Sequence, residues 1–235
     1  GRLNHSCTPN AQQTFIPLRP KINGHESVLH KLHGDQQHLG YEVLYATRDI
    51  AIGEEICDCY IELRQNTAQR REELLKLFRF HCMCPSCEPM RSEEAAPSSA
   101  TNTSNPAAAA VNDTKKQVES DSYRLRAMKL DKDMVSLVEM GELLTAIDVG
   151  KQLVSILEDP LKCGGWGERY VAEAAVNTSV LLQEVGTKQT RHEALVYLEK
   201  AHHWNIRLQG ENSVDSLGTA EKLSRLGKGK QPTAS

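Results

Sequence analysis

The chain has 235 residues, of which 39% are hydrophobic and 25% are charged, and this ordinary globular composition can form two modest domains. Its formal net charge of −3 at pH 7 gives no electrostatic reason to bind nucleic acid or an anionic membrane surface. No apolar run approaches the roughly 20 residues that a membrane-spanning helix needs, so we expect a soluble protein.

The N-terminal third predicts short strands followed by one helix. The segments TFIPL, EVLYATRDI and EEICDCYI are separated by glycine-containing turns, which is typical of β-strands. The stretch from Asn66 to Phe80 then has helical spacing of its leucines and leads directly into a group of cysteines.

The cysteines indicate a metal site. Cys82, Cys84 and Cys87 form a CxCxxC motif, and closely spaced thiolates are the usual ligands of a structural zinc ion. Zinc takes four ligands, and the spacing leaves the fourth open among Cys7, Cys57, Cys59, His81 and His5.

The C-terminal half predicts an all-helical domain. Residues 89–122 are rich in Ala, Ser, Pro, Asn and Thr, which predicts a flexible low-complexity linker, and residues 229–235 predict a disordered tail. Between them, residues 123–228 carry apolar side chains at helical spacing. Ala194 and Ala201 lie seven residues apart, as in the small-residue positions of a tetratricopeptide repeat.

Three motifs occur together in a recognisable order. NHSCTPN is followed by YATRDIAIGEEICDCYI and then by RREELLKLFRFHCMCPSC. This order resembles the C-terminal half of a SET domain with its post-SET cysteines, most closely that of the SET and MYND (SMYD-like) protein lysine methyltransferases. The resemblance implies an α+β fold in which residues 1–88 form a partial, β-rich SET fold with a post-SET zinc site, followed by the tetratricopeptide-like helical domain.

The resemblance also implies a role for individual residues. Cys7 would complete the zinc site, and Tyr60 would be the catalytic tyrosine whose hydroxyl orients the substrate amine. The expected S-adenosylmethionine contacts are Asn4, His5 and Phe80, with Phe78 lining the lysine channel. Asp58 departs from the family, in which an apolar residue stands at this point of the catalytic strand. A buried unpaired carboxylate there would be costly, so a solvent-filled edge is the alternative.

The function implied is S-adenosylmethionine-dependent N-methylation of a histone or non-histone lysine, performed as part of a longer protein in the nucleus, the cytoplasm or both. The alternative is a non-catalytic SET remnant stapled by zinc, whose helical repeat binds a peptide partner. A zinc-ribbon nucleic-acid binder is disfavoured by the net charge.

Overall fold

The computed structural model describes residues 3–17, 21–22, 25–26, 40–88 and 106–228. The fold is α+β: small sheets in the N-terminal part precede a helical C-terminal part. The strands are β1 (Asn4–His5), β2 (Ala11–Pro17), β3 (Lys21–Ile22), β4 (His25–Glu26), β5 (Gly40–Ala46) and β6 (Cys57–Asp58). The helices are α1 (Thr67–Phe78), α2 (Pro106–Glu139), α3 (Leu143–Glu158), α4 (Pro160–Cys163), α5 (Glu168–Val185), α6 (Lys188–Gln209) and α7 (Val214–Lys228).

The sheets are three separate pairs of strands. β2 and β5 pair antiparallel over their full length, and β3 pairs antiparallel with β4. β1 lies parallel to β6, with His5 opposite Asp58. The sequence predicts a strand over EEICDCYI, which contains Tyr60. The observed strand β6 ends at Asp58, so Tyr60 lies two residues beyond it.

Helix α1 begins and ends where its flanking residues dictate. The Asn66 side chain accepts a hydrogen bond from the Gln69 amide, and the Gln69 side chain accepts one from the Asn66 amide, which completes a capping box. Arg79 adopts a left-handed conformation that ends the helix directly before Phe80. The predicted helix is therefore confirmed, with its end at Phe78.

Helix α2 corrects the predicted linker. It begins at Pro106, so residues 106–122 are helical although their composition predicts a flexible segment. The physical reason is the run from Ala107 to Ala110, because alanine has the highest helix propensity. The rest of the predicted linker, residues 89–105, and the predicted tail, residues 229–235, lie outside the described residues.

The helices of the C-terminal part pack against one another in series. α2 packs against α3, α3 against α5, α5 against α6, and α6 against α7. Gly186 ends α5 in a left-handed conformation, and α6 begins two residues later. Ala194 and Ala201 are fully buried in α6, as their spacing predicts, while the tetratricopeptide likeness itself stays a prediction.

The N-terminal and helical parts share one hydrophobic core. Leu63 and Leu74 pack in the same buried group as Leu153, Trp166 and Val171. A second contact lies at the end of α6, where Gly210 adopts φ +79° and ψ 163°, and a Cβ at this position would overlap the Tyr45 side chain. Among the described helices, none is long and apolar enough to cross a membrane.

Candidate active site and metal centre

Four cysteine sulfurs meet at one point, which we call the cysteine cluster. Cys7 follows β1, and Cys82, Cys84 and Cys87 lie in the turn after α1. All four sulfurs lie within 4.8 Å of one another. The Cys7 sulfur is 3.5 Å from that of Cys87 and 4.0 Å from that of Cys82, and three of the four residues are buried.

The cysteine cluster fits a structural zinc ion. Four sulfurs placed tetrahedrally at about 2.3 Å from zinc lie roughly 3.8 Å apart, and the distances from Cys7 to Cys87 and Cys82 lie on either side of that value. Cys57, Cys59 and His81, which the spacing left open as fourth ligands, are not members of the group found among the described residues. The set that could hold a metal is therefore the one that the resemblance implies.

The four thiols differ in pKa because they hydrogen-bond to one another. Hydrogen bonds from Cys7 lower the pKa of Cys84, and they lower the pKa of Cys87 to about 7. Hydrogen bonds to the other three cysteines raise the pKa of Cys7. The pKa of Cys82 is raised as well, so Cys7 and Cys82 favour the thiol while Cys84 and Cys87 favour the thiolate, which is the form that binds metal.

Four aromatic rings lie beside the cysteine cluster, and we call His5, Tyr60, Phe78 and Phe80 the aromatic cluster. The ring centroid of Tyr60 is 4.9 Å from that of Phe78 and 6.5 Å from that of Phe80, the latter in an edge-on contact. The His5 ring lies 5.4 Å from Tyr60 and 6.1 Å from Phe80. Residues predicted for catalysis, substrate and cofactor are thus neighbours in space.

His5 connects the two clusters. Its Nδ1 accepts a hydrogen bond from the Tyr60 amide at 3.1 Å, and its Nε2 lies 3.3 Å from the Cys7 sulfur. Burial lowers the pKa of His5 to about 4, so the ring is neutral at pH 7. Since Nδ1 is the acceptor, Nε2 carries the proton and donates to Cys7. Only the ring faces and the main chain of His5 remain for another ligand.

The polar groups of Asn4 and Tyr60 also have partners. The Asn4 Nδ2 donates to a carboxylate oxygen of Glu55 at 2.6 Å. The hydroxyl of Tyr60 donates to the main-chain carbonyl of Leu3. Tyr60 is half-buried and Phe78 is 39% exposed, so this side of the aromatic cluster opens to the surface.

Asp58 is neither unpaired nor at a solvent-filled edge. Its Oδ1 accepts from the Nη1 of Arg169 at 2.6 Å and from the Cys59 amide at 2.7 Å. Arg169 belongs to α5, so an arginine of the helical part pairs with Asp58.

Sequence reasoning missed two buried arginines next to the cysteine cluster. Arg70 and Arg124 are fully buried, although arginine is almost never so unless it is paired. A signal was present, because Arg124 lies on the same face of α2 as the buried Ala127 and Leu130. A charged residue among the buried apolar residues of a helix indicates that a specific group pairs with its charge.

Comparison with known proteins matches residues 2–61 to the SET domain. This segment of the chain therefore resembles a SET domain. Among the relatives of this SET segment, human "Histone-lysine N-methyltransferase SMYD3" is 34% identical over 86 residues, which are 37% of the chain and 15% of that protein. "N-lysine methyltransferase SMYD2-B" of Danio rerio is 26% identical over 141 residues, 60% of the chain and 27% of that protein.

A fungal relative has a similar extent. "Histone-lysine N-methyltransferase set5" of Schizosaccharomyces pombe is 33% identical over 86 residues, 37% of the chain and 21% of that protein. The predicted resemblance to SMYD-like proteins is confirmed. The chain spans no more than 27% of the length of these three relatives.

Proposed function

We propose that this chain forms part of an S-adenosylmethionine-dependent protein lysine N-methyltransferase. The observation that carries the proposal is the aromatic cluster, in which Tyr60, Phe78 and Phe80 adjoin a segment of SET-domain sequence. The three relatives described above are named as lysine methyltransferases, which supports the same reaction class.

Methyl transfer to lysine requires alignment and a neutral amine. S-adenosylmethionine, when bound, supplies a methyl group on a cationic sulfonium. A free lysine has a pKa of about 10.4, and apolar ring walls disfavour its charged form. Phe78 provides such a wall at the exposed side of the cluster, and the Tyr60 hydroxyl orients the amine through a hydrogen bond.

The cofactor contacts we propose are Asn4, His5 and Phe80. The half-buried ring of Phe80 offers a face for a planar purine. His5 contributes its ring face or its main chain, because both ring nitrogens already have partners. Asn4 contributes its side chain once it leaves Glu55.

We propose zinc as the metal, held by Cys7, Cys82, Cys84 and Cys87. Four protein ligands leave no open position, which is typical of a structural site and not of a catalytic one. The role of the site is to fix residues 78–88 against β1, so that Phe78 and Phe80 become rigid walls.

The substrate would be a lysine of a histone or of another protein, in the nucleus, the cytoplasm or both. The helical part offers a surface for a peptide partner, as helical repeats do. Neither nucleic acid nor membrane is expected as a partner, given the net charge of −3.

The second candidate is a non-catalytic scaffold stapled by zinc. The observation that favours it is that the polar groups of the site already have hydrogen-bond partners within the protein. Asn4 donates to Glu55, and the Tyr60 hydroxyl donates to the carbonyl of Leu3. A scaffold needs no cofactor, so cofactor binding separates the two functions.

Calorimetric titration of S-adenosylmethionine into the zinc-loaded chain tests the proposal. We expect saturable binding that Asn4→Ala and Phe80→Leu weaken. The matched control is Leu77→Ala, which truncates a side chain that is 59% exposed. Absence of binding by the folded, zinc-loaded chain would mean that this chain alone is a fragment without a cofactor site or a scaffold, and the same titration of a longer protein that contains it would decide: no binding there would contradict the methyltransferase proposal.

A further inference from the structure

Two guanidinium groups adjoin the cysteine cluster from inside the protein. Arg124 donates from Nη2 to the carbonyl oxygen of Cys7 at 3.1 Å, and Arg70 directs its own Nη2 at the Cys87 sulfur, 3.9 Å away. Both side chains are fully buried. The two positive charges therefore lie in a region from which water is largely excluded.

The ion-pair and hydrogen-bond partners of Arg70 and Arg124 balance only part of their positive charge. Arg70 lies 3.3 Å from a carboxylate oxygen of Asp121, whose other hydrogen bonds come from the amide and hydroxyl of Thr67. The Arg124 acceptors are neutral: the carbonyl oxygens of Leu63 and Cys7 and the hydroxyls of Ser86 and Ser120. Among the described residues, no carboxylate forms an ion pair with Arg124.

A buried charge without a counter-charge is costly, even when it is hydrogen-bonded. The Trp166 ring, 4.9 Å from the Arg124 guanidinium carbon, offsets some of this cost through a cation–π contact. A larger compensation is available next to Cys7. Four thiolates around one divalent cation carry a net charge of about −2, and this charge would lie beside both arginines.

We propose that Arg70 and Arg124 are the counter-charges of a metal–tetrathiolate, and that Arg124 makes the docking of helix α2 depend on metal. The inference rests on the metal site proposed above. Arg124 belongs to α2 and contacts the segment after β1, the segment before α1 and the cysteine turn. Loss of the cluster's negative charge leaves this arginine as an isolated buried cation, which favours detachment of α2.

The test compares Arg124→Met with Arg126→Met in the 235-residue chain. Both changes remove one arginine from α2, but Arg126 is exposed and serves as the matched control. The zinc dissociation constant is measured by competition with a chromophoric chelator. We expect Arg124→Met to weaken zinc binding at least tenfold, as changes to groups that support metal ligands commonly do, and Arg126→Met to leave it unchanged.

A second measurement separates charge compensation from packing. The thermal midpoint of each variant is recorded with and without zinc. If Arg124 only packs, Arg124→Met lowers both midpoints equally. If it balances the cluster, the substitution lowers the midpoint of the zinc-loaded chain and leaves that of the metal-free chain unchanged or raised. Arg124→Lys, which keeps the charge, should retain more of the zinc affinity than Arg124→Met.

The outcomes distinguish this inference from the metal site itself. Tight zinc binding that is equal in the wild type and Arg124→Met overturns the inference and leaves the metal site intact. Failure of the folded wild type to bind zinc overturns both. If Arg124→Met does not fold, the inference is tested by amide hydrogen exchange in residues 117–134 of the wild type. The inference requires faster exchange in these residues after zinc is removed, and an unchanged rate would overturn it.

Discussion

Arg169 and Asp58 form an ion pair of 2.6 Å between residues 111 positions apart in the chain. The arginine lies in the first turns of α5, and the aspartate ends β6, two residues before Tyr60. Both side chains are at least three-quarters buried. The helical part therefore supplies the counter-charge for a carboxylate at the candidate active site.

Removing Arg169 should destabilise the fold. Arg169→Met leaves the Asp58 carboxylate buried, with the Cys59 amide as its one remaining hydrogen-bond donor among the residues that the structure describes. We expect the free energy of unfolding to fall by about 2 kcal/mol in urea denaturation. The double variant Arg169→Met with Asp58→Asn should recover most of this loss.

The matched control is Arg225→Met, which breaks an ion pair with Glu221 whose side chains are 76% and 64% exposed. Exposed pairs contribute about 0 to 1 kcal/mol, so this change should have little effect. Equal losses from both substitutions would contradict a special role for the Arg169 pair.

The contact between Tyr45 and Gly210 should be intolerant of any side chain. Gly210→Ala places a Cβ where the tyrosine ring stands, in a backbone conformation that is almost restricted to glycine. We expect a loss of about 2 to 3 kcal/mol in the free energy of unfolding. Gly218→Ala is the control of opposite sign: it has open space for a Cβ inside α7 and should gain up to about 1 kcal/mol. A neutral result for Gly210→Ala would mean that the Tyr45 contact is absent in solution.

The cysteine cluster predicts about one zinc ion per chain, measured by elemental analysis after gel filtration. Cys84→Ser should lose most of the zinc, because a hydroxyl replaces a thiolate ligand. Cys57→Ser is the matched control, since Cys57 is half-buried and lies outside the cluster. Lowering the pH should release the metal, because protons compete for the thiolates. Retention of zinc by Cys84→Ser would contradict the ligand set.

Tyr60→Phe should separate chemistry from binding. The substitution keeps the ring contacts with Phe78 and Phe80 and removes only the hydroxyl. In a preparation that transfers methyl groups, we expect the rate to fall by about 100-fold or more while S-adenosylmethionine affinity is nearly unchanged. Tyr197→Phe, in α6, removes a hydroxyl from the helical part and should keep the full rate. Unaltered turnover in Tyr60→Phe would exclude Tyr60 as the orienting group.

The elements that local chemistry determines could be predicted from the sequence. Helix α1 follows from its leucine spacing and is bounded by the Asn66 capping box, and the CxCxxC spacing alone indicates a metal site. The composition predicts a linker up to residue 122, whereas α2 begins at Pro106. The alanine run at 107–110 favours helix more strongly than the polar residues around it disfavour it.

Tertiary partners could not be predicted in the same way. Spacing alone did not select Cys7 as the fourth member of the cluster, because it lies 75 residues from Cys82 and only the fold brings them together. The same holds for Asp58, whose partner Arg169 is contributed by a distant helix. Pairings of this kind depend on the complete packing of the chain, which periodicity and composition do not contain.

The long separation between Cys7 and its partners has a consequence during biosynthesis. At a translation rate of about 5 to 20 residues per second, Cys7 leaves the ribosome roughly 4 to 15 seconds before Cys82 does, since 75 residues separate them. Throughout that interval it is an unpartnered thiol that only a reducing environment protects. Once a metal joins the four sulfurs, it closes a loop whose entropy is worth on the order of 4 kcal/mol in the unfolded chain. Supply of the metal to the nascent protein would thus decide whether the segment that carries Cys7 is retained in the fold or left open to oxidation.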